Sequence, residues 1–255
     1  MKIFRILTLL LFVLSFNDLV YCNEPVIRKS EILNFKIRYG FITAGEVSFD
    51  TRETYFSGKK VFHTQVVAKT TGLIDQLYRL HDVFESYYDR EIRQPCFSIT
   101  NLSEGKYRYY NENTYDQENF TVYSQRKDST FQLKSQVFDV VSAIYHFRTL
   151  DWNNLAVNDM IELQTFHQDD AAPMYVVYKG LEDISIGTFI YRCHKFAPII
   201  DSGKIFQKKE NMIILFSADK NKIPVSIKLN LLVGAFRLEL DSYEGLIHSF
   251  DAKIK

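Results

Sequence analysis

The sequence predicts a mainly β protein: a single curved antiparallel sheet forming a half-closed or closed barrel, covered by two short helices. Three observations point there. Aromatic residues make up 15% of the 255, with 21 Phe and 16 Tyr, and such side chains favour strands and supply large buried areas. Apolar and polar residues alternate with period two from Ile32 onward. Only ten Gly and five Pro leave little material for long disordered linkers. No composition shift or fixed-period repeat divides the chain. The organisation expected is a signal peptide over residues 1–22 and one antiparallel β domain over 23–255.

The elements follow in order. Leu33, Phe35, Ile37 and Tyr39 share one face of a first strand, with Asn34, Lys36 and Arg38 on the other. A turn at GFITAG leads to Val47, Phe49, Thr51, Glu53 and Tyr55 with the same period, and SGKK turns into VFHTQVVAK, giving a meander of hairpins. The period changes at TTGLIDQLYRLHD, where Leu73, Ile74, Leu77, Tyr78 and Leu80 recur at helical spacing. Strands resume at VFESYYD and continue through GKYRYYNENTY, NFTVYSQRK and STFQLKS. The segment FDVVSAIYHFRTLDW then reads as a buried helix over 138–150, apolar nearly all round, with Asp139 as its N-cap. Further strands bring the total to about a dozen, a number suited to a barrel or sandwich. Both helices are expected to cover the concave face of the sheet.

Charge excludes some classes. Lys plus Arg and Asp plus Glu both number 31, so the overall charge makes no electrostatic case for nucleic acid or an anionic membrane. At the N-terminus, Lys2 and Arg5 precede an apolar run from Ile6 to Phe16. That run is far short of the ~20 residues a spanning helix needs, and it reads as the core of a signal peptide. Cleavage after Cys22 gives a periplasmic chain. The alternative is a lipoprotein anchored at Cys22. With Cys22 removed, Cys96 and Cys193 remain, and an oxidising compartment permits a disulfide between them; two unpaired buried thiols are the other reading.

No residue is assigned a catalytic role. Asp139, Ser142 and His146 line one side of the second helix and suggest a hydrolytic triad, but Asp139 lies about 10 Å from His146 along a helix, and a triad base must reach both partners. Arg148 is expected to reach a carboxylate or helix-end carbonyls at the rim. HQDD at 167–170 reads as a solvated strand end, and ADKNK at 218–222 as a hairpin turn lacking the Gly and closing Glu of a calcium loop. No metal site and no cofactor is assigned.

These segments form a recognisable set: YGFITAGEV (39–47), DVFESYYD (82–89), FDVVSAIYHFR (138–148), APIIDSGKIF (197–206) and FSADKNKIPVSIKLNLLVGAFRLEL (216–240). The chain resembles the bacterial exported family known as domain of unknown function 3108. It departs from that family at Ala218-Asp219-Lys220, where two adjacent acidic residues are expected. The resemblance implies a periplasmic, mostly antiparallel β protein with no established activity, similar in shape to half-barrel carriers that shuttle lipoproteins.

The functional expectation is a non-enzymatic envelope protein that binds a lipid or a lipoprotein acyl chain in an apolar cavity. Leu73, Leu77 and Tyr78 on the first helix and Ile144 and Phe147 on the second are the cavity candidates. The alternative is an envelope assembly or interaction scaffold with a filled core and no small ligand, which binds an envelope protein partner. It would act through an exposed sheet edge or a tyrosine-rich surface at Tyr107, Tyr109, Tyr110 and Tyr115. An apolar cavity above ~300 Å³ would favour the carrier.

Overall fold

The computed structural model describes residues 26–199, 212–230 and 234–255. The expected leader over residues 1–22, with the alternative anchor at Cys22, lies outside the described residues.

Period-two patterning produces one antiparallel sheet, fourteen strands wide among the described residues. Its first half is β1 (Ser30–Tyr39), β2 (Ile42–Phe56), β3 (Lys59–Thr70), β4 (His81–Tyr88), β5 (Pro95–Glu104), β6 (Tyr107–Asp116), β7 (Thr121–Ser124) and β8 (Ser129–Gln132). The second half is β9 (Met160–His167), β10 (Asp170–Ile186), β11 (Phe189–Ile199), β12 (Met212–Ser217), β13 (Pro224–Asn230) and β14 (Ala235–Glu244). Each half is a meander, and β1 pairs with β14 to join them, so the strand order runs from β8 down to β1, then from β14 down to β9. The two edges, β8 and β9, are consecutive in the chain. Between them lies α2 (Val140–Thr149), while α1 (Gly72–Leu77) links β3 to β4.

Alternation decides what faces inward. Leu33, Phe35, Val47, Phe49, Phe62, Val66 and Tyr88 are buried and pack with Val141 and Tyr145 of α2 in one cluster. A second cluster gathers Phe147, Leu150, Trp152, Tyr178, Phe196 and Phe216 on the opposite wall. Half-buried Ile144 packs against both. A sheet this wide curls because its strands twist, and α2 fills the space the curl encloses.

The expectation for the first helix is overturned. α1 has six residues, no side-chain N-cap and no buried residue, and its apolar side faces solvent instead of covering the sheet. Six residues give too few turns to offset the cost of helix nucleation without packing. Its fixings are polar: Asp75 accepts a hydrogen bond from Thr70 Oγ1 and pairs with Arg79. Those bonds turn the charged side of the helix toward the sheet end and leave the leucines outside.

Candidate functional site

α2 is seated by polar contacts at both ends. Asp139 is its N-cap, accepting bonds from Val141 N, Ser142 N, Ser142 Oγ and Ser86 Oγ. Ser142 Oγ accepts from Asp139 N, completing a reciprocal capping box. Burial pushes the Asp139 carboxyl above its ordinary value, although these four bonds oppose it. Along the helix, Tyr145 shares a hydroxyl chain with Thr51, Thr64 and Tyr88 on the facing strands. Near its end, Arg148 donates to both oxygens of Glu31 at 2.7 Å, and to the Asn221 carbonyl. Both ions are fully buried, at 0% and 1% exposure, so Arg148 lies in the interior and not at the rim.

Asn221 belongs to the β12–β13 turn, the ADKNK stretch whose Asp-x-Asn core is shared with calcium loops. Here that turn is a structural hub. The Asp219 carboxylate accepts from Ser217 Oγ, Asn221 N and Ala252 N, while the Asn221 amide donates to His248 O and Ser249 O. Lys222 Nζ donates to Leu150 O at the end of α2. The turn clamps the helix end and the C-terminal segment together.

The Asp139–Ser142–His146 alignment carries no triad geometry. Ser142 is used in the capping box, and His146 directs Nδ1 to the Ile92 carbonyl at 2.9 Å while its ring stacks on Phe138. Burial lowers the His146 pKa, with the Ile92 carbonyl opposing.

The five cavity candidates do not converge. Leu73, Leu77 and Tyr78 are 76%, 82% and 51% exposed on the outer end of the sheet. Phe147 is buried among the rings of Trp152, Phe196 and Phe216, and Ile144 lies in the packing between the clusters. None of the five lines either of two clefts formed by the described residues. The first cleft, bounded by Ser98, Asn113, Tyr115 and Asp139, holds about 10 Å³, room for one water. Cys96 and Cys193 are both free. They sit on β5 and β11, eight positions apart in the strand order, so the disulfide is not formed. Each thiol hydrogen-bonds a backbone carbonyl on its own side, Cys96 to Tyr87 O and Cys193 to Tyr191 O. Burial pushes Cys193 up to about 12.

The second cleft lies where the two sheet edges meet. β8 and β9 exchange no ladder hydrogen bonds; side chains and one strip of backbone close the gap. Phe138 N donates to Gln164 O, and Phe166 N donates to Phe138 O, a single parallel rung on the edge of β9. On the other side the Gln117 amide substitutes for a strand, donating to Val137 O and accepting from Val137 N. Phe166 packs edge-on against Tyr115 and Phe131. Asp169, in the β9–β10 turn, reaches Asn111, Ser124 and Arg126 across the seam. Its side chain is 4% exposed, so Asp169 departs from the solvated strand end expected of HQDD, whereas His167, Gln168 and Asp170 are exposed as that reading requires. Burial alone would raise the Asp169 pKa, but bonds from Ser124 and Arg126 outweigh it and hold the carboxyl low. Gln168 and Asp169 both have positive φ, 51° and 65°, the backbone a tight two-residue hairpin requires.

Beyond Phe138 the seam opens into a groove of about 530 Å³ lined by Gln94, Phe120, Gln136, His146, Glu162 and Gln164, among others. In the β9–β10 register, Ile161, Leu163 and Thr165 face Val176, Met174 and Ala172. The rung to Phe138 uses Gln164 O and Phe166 N, so even-numbered residues turn their backbone groups outward. Glu162 N–H and C=O and Gln164 N–H therefore point into the groove, and among the described residues no strand lies beside them. On the tyrosine-rich strand Tyr107 and Tyr110 are about half exposed, whereas Tyr115 is buried in the seam.

Comparison with known proteins fits this geometry. Residues 34–241 match the model of the family described as "Protein of unknown function (DUF3108)". The chain belongs to DUF3108. No curated protein matches the chain. This DUF3108 chain is similar in fold to a β-barrel-like protein of domain of unknown function DUF1849 from Brucella abortus. The two share 10% identity and a TM-score of 0.58 over 86% of this chain and 98% of that one. A DUF1089 family protein from Pseudomonas aeruginosa aligns with 78% of this chain and 89% of its own length at 8% identity and a TM-score of 0.30, too low to bear on the fold.

Proposed function

We propose that this DUF3108 chain is a non-enzymatic scaffold of the bacterial envelope that engages a partner protein through the open seam. The observation that carries the reading is the outer edge of β9, where backbone groups with no strand beside them among the described residues face a groove of about 530 Å³. Exposed sheet edges are templates for an added strand. Phe138 already occupies one position of this edge in that way. The carrier alternative requires an apolar cavity, and the residues nominated for one are either solvent-exposed or packed in the two core clusters. Export to the periplasm, from the leader and the family resemblance, completes the proposal.

Glu162→Pro tests it. Proline removes an outward N–H while leaving the β9–β10 ladder intact. A photo-crosslinking residue at Gln136, on the groove wall, is expected to give a discrete adduct in the cells that make the protein. Glu162→Pro should abolish that adduct without changing the circular dichroism spectrum. No adduct at Gln136, or an adduct indifferent to Glu162→Pro, would overturn the reading.

A further inference from the structure

Three turns bring exposed apolar side chains to one end of the sheet. The β1–β2 turn projects Phe41, 94% exposed, beside Ile42. α1 follows β3 and is tied to β2 through Thr71 N and Ala44 O, which places Leu73 and Leu77 at the same end. The β5–β6 turn adds Tyr107. Gly105 N donates to Arg79 O, and a Cβ on Gly105 would sit 2.9 Å from the Tyr78 ring. Helix and turn thus form one rim, and Gly105 is required there both by that close approach and by its φ of +54°.

We infer that this rim docks the protein on an anionic lipid bilayer, with Phe41, Leu73 and Leu77 entering the acyl boundary and Lys106 and Arg108 meeting lipid phosphates. Apolar surface gathered this way on a folded chain marks a site of contact. The choice of bilayer rests on shape and charge. The three tips project outward, and a Cβ added at Gly40 or Gly72 beside them would meet nothing within 4 Å. A protein partner would need a matching pocket for each tip, whereas a fluid bilayer accepts them without one. Lys106 and Arg108 are exposed on either side of Tyr107, the arrangement of aromatic and cation favoured at a membrane interface. The charge of the whole chain is balanced, so the attraction is local to Lys106 and Arg108; of the nearby acids, Asp75 is paired with Arg79. No helix among the described residues is long and apolar enough to cross a membrane. The rim shares no residue with the lining of the groove and does not rest on the scaffold reading.

Co-sedimentation of residues 23–255 with vesicles tests the inference. Binding is expected to vesicles of phosphatidylethanolamine with phosphatidylglycerol and to be weaker on phosphatidylcholine alone. The double variant Leu73→Gln, Leu77→Gln keeps good helix formers on an exposed helix and should lose at least tenfold in binding. Lys106→Gln with Arg108→Gln should remove the preference for anionic vesicles. Glu162→Pro should bind like the parent, which separates this test from that of the seam. Absence of vesicle binding, or binding that ignores the leucine substitutions, would overturn the inference. So would leucine-dependent self-association in sedimentation velocity without vesicle binding, which would make the rim a protein interface.

Discussion

α2 buries eight of its ten residues inside the sheet, whereas α1, six residues long, buries none. In sequence the two segments resemble each other, both with apolar residues at helical spacing. The difference is one of length and capping. α2 begins with a reciprocal Asp–Ser box and ends under the β12–β13 turn. α1 has no side-chain cap and is held by Thr70 and Arg79 on its polar side. An apolar stripe therefore indicates that a helix has a preferred face, while its polar fixings decide which way that face turns.

The sharpest test of this contrast is Arg148→Ala. It leaves the Glu31 carboxylate buried without its partner, and urea unfolding should register a loss of about 3–5 kcal/mol. Arg79→Ala removes the exposed partner of Asp75 on α1 and should leave the urea midpoint unmoved. A packing pair comes next. Phe147→Ala opens a hole among Trp152, Phe196 and Phe216 and is expected to cost about 3–5 kcal/mol. Leu77→Ala, at 82% exposure, should change stability by no more than about 0.5 kcal/mol. Equal effects at the two positions would erase the distinction between plug and rim.

Smaller effects come from the cap and from titration. Asp139→Ala removes the N-cap and should cost about 0.5–2 kcal/mol. Asp139 has its folded pKa raised by burial, so the parent carries a cost only when that carboxyl ionises. The stability gap between the parent and Asp139→Asn should therefore narrow as pH rises through the folded pKa, read from urea midpoints across that range. His146 has its folded pKa lowered by burial. The stability it contributes is present above the unfolded value of about 6.5 and is lost as pH falls toward the folded value. His146→Gln should remove part of the loss seen on acidification, leaving the shares of His167 and His194, which burial also lowers.

Local periodicity made much of the sheet legible. Leu33, Phe35, Val47, Phe49 and Thr51 face inward as their alternation implies, and Asp139 caps α2 as its position before an apolar run implies. Contacts that depend on the curl of the whole sheet were not legible. Glu31 and Arg148 are 117 positions apart, and nothing local to either marks the other as its partner. Asp169 has polar neighbours in sequence, which suggest solvent; its hydrogen-bond donors come from β6 and β7 across a seam that strand order alone creates. The groove beside β9 exists because one sheet fails to close on itself, and no residue pattern within β9 records that.

In this structure α2 is a permanent filling of the curled sheet and not a lid that moves aside for a ligand. Native-state amide hydrogen exchange measures this directly. The account predicts that amides within Val140–Thr149 exchange only through global unfolding, in step with the inner strands β2 and β3, while α1 amides exchange far faster. Exchange across α2 through a sub-global opening, with β2 and β3 still protected, would contradict it and restore a movable helix.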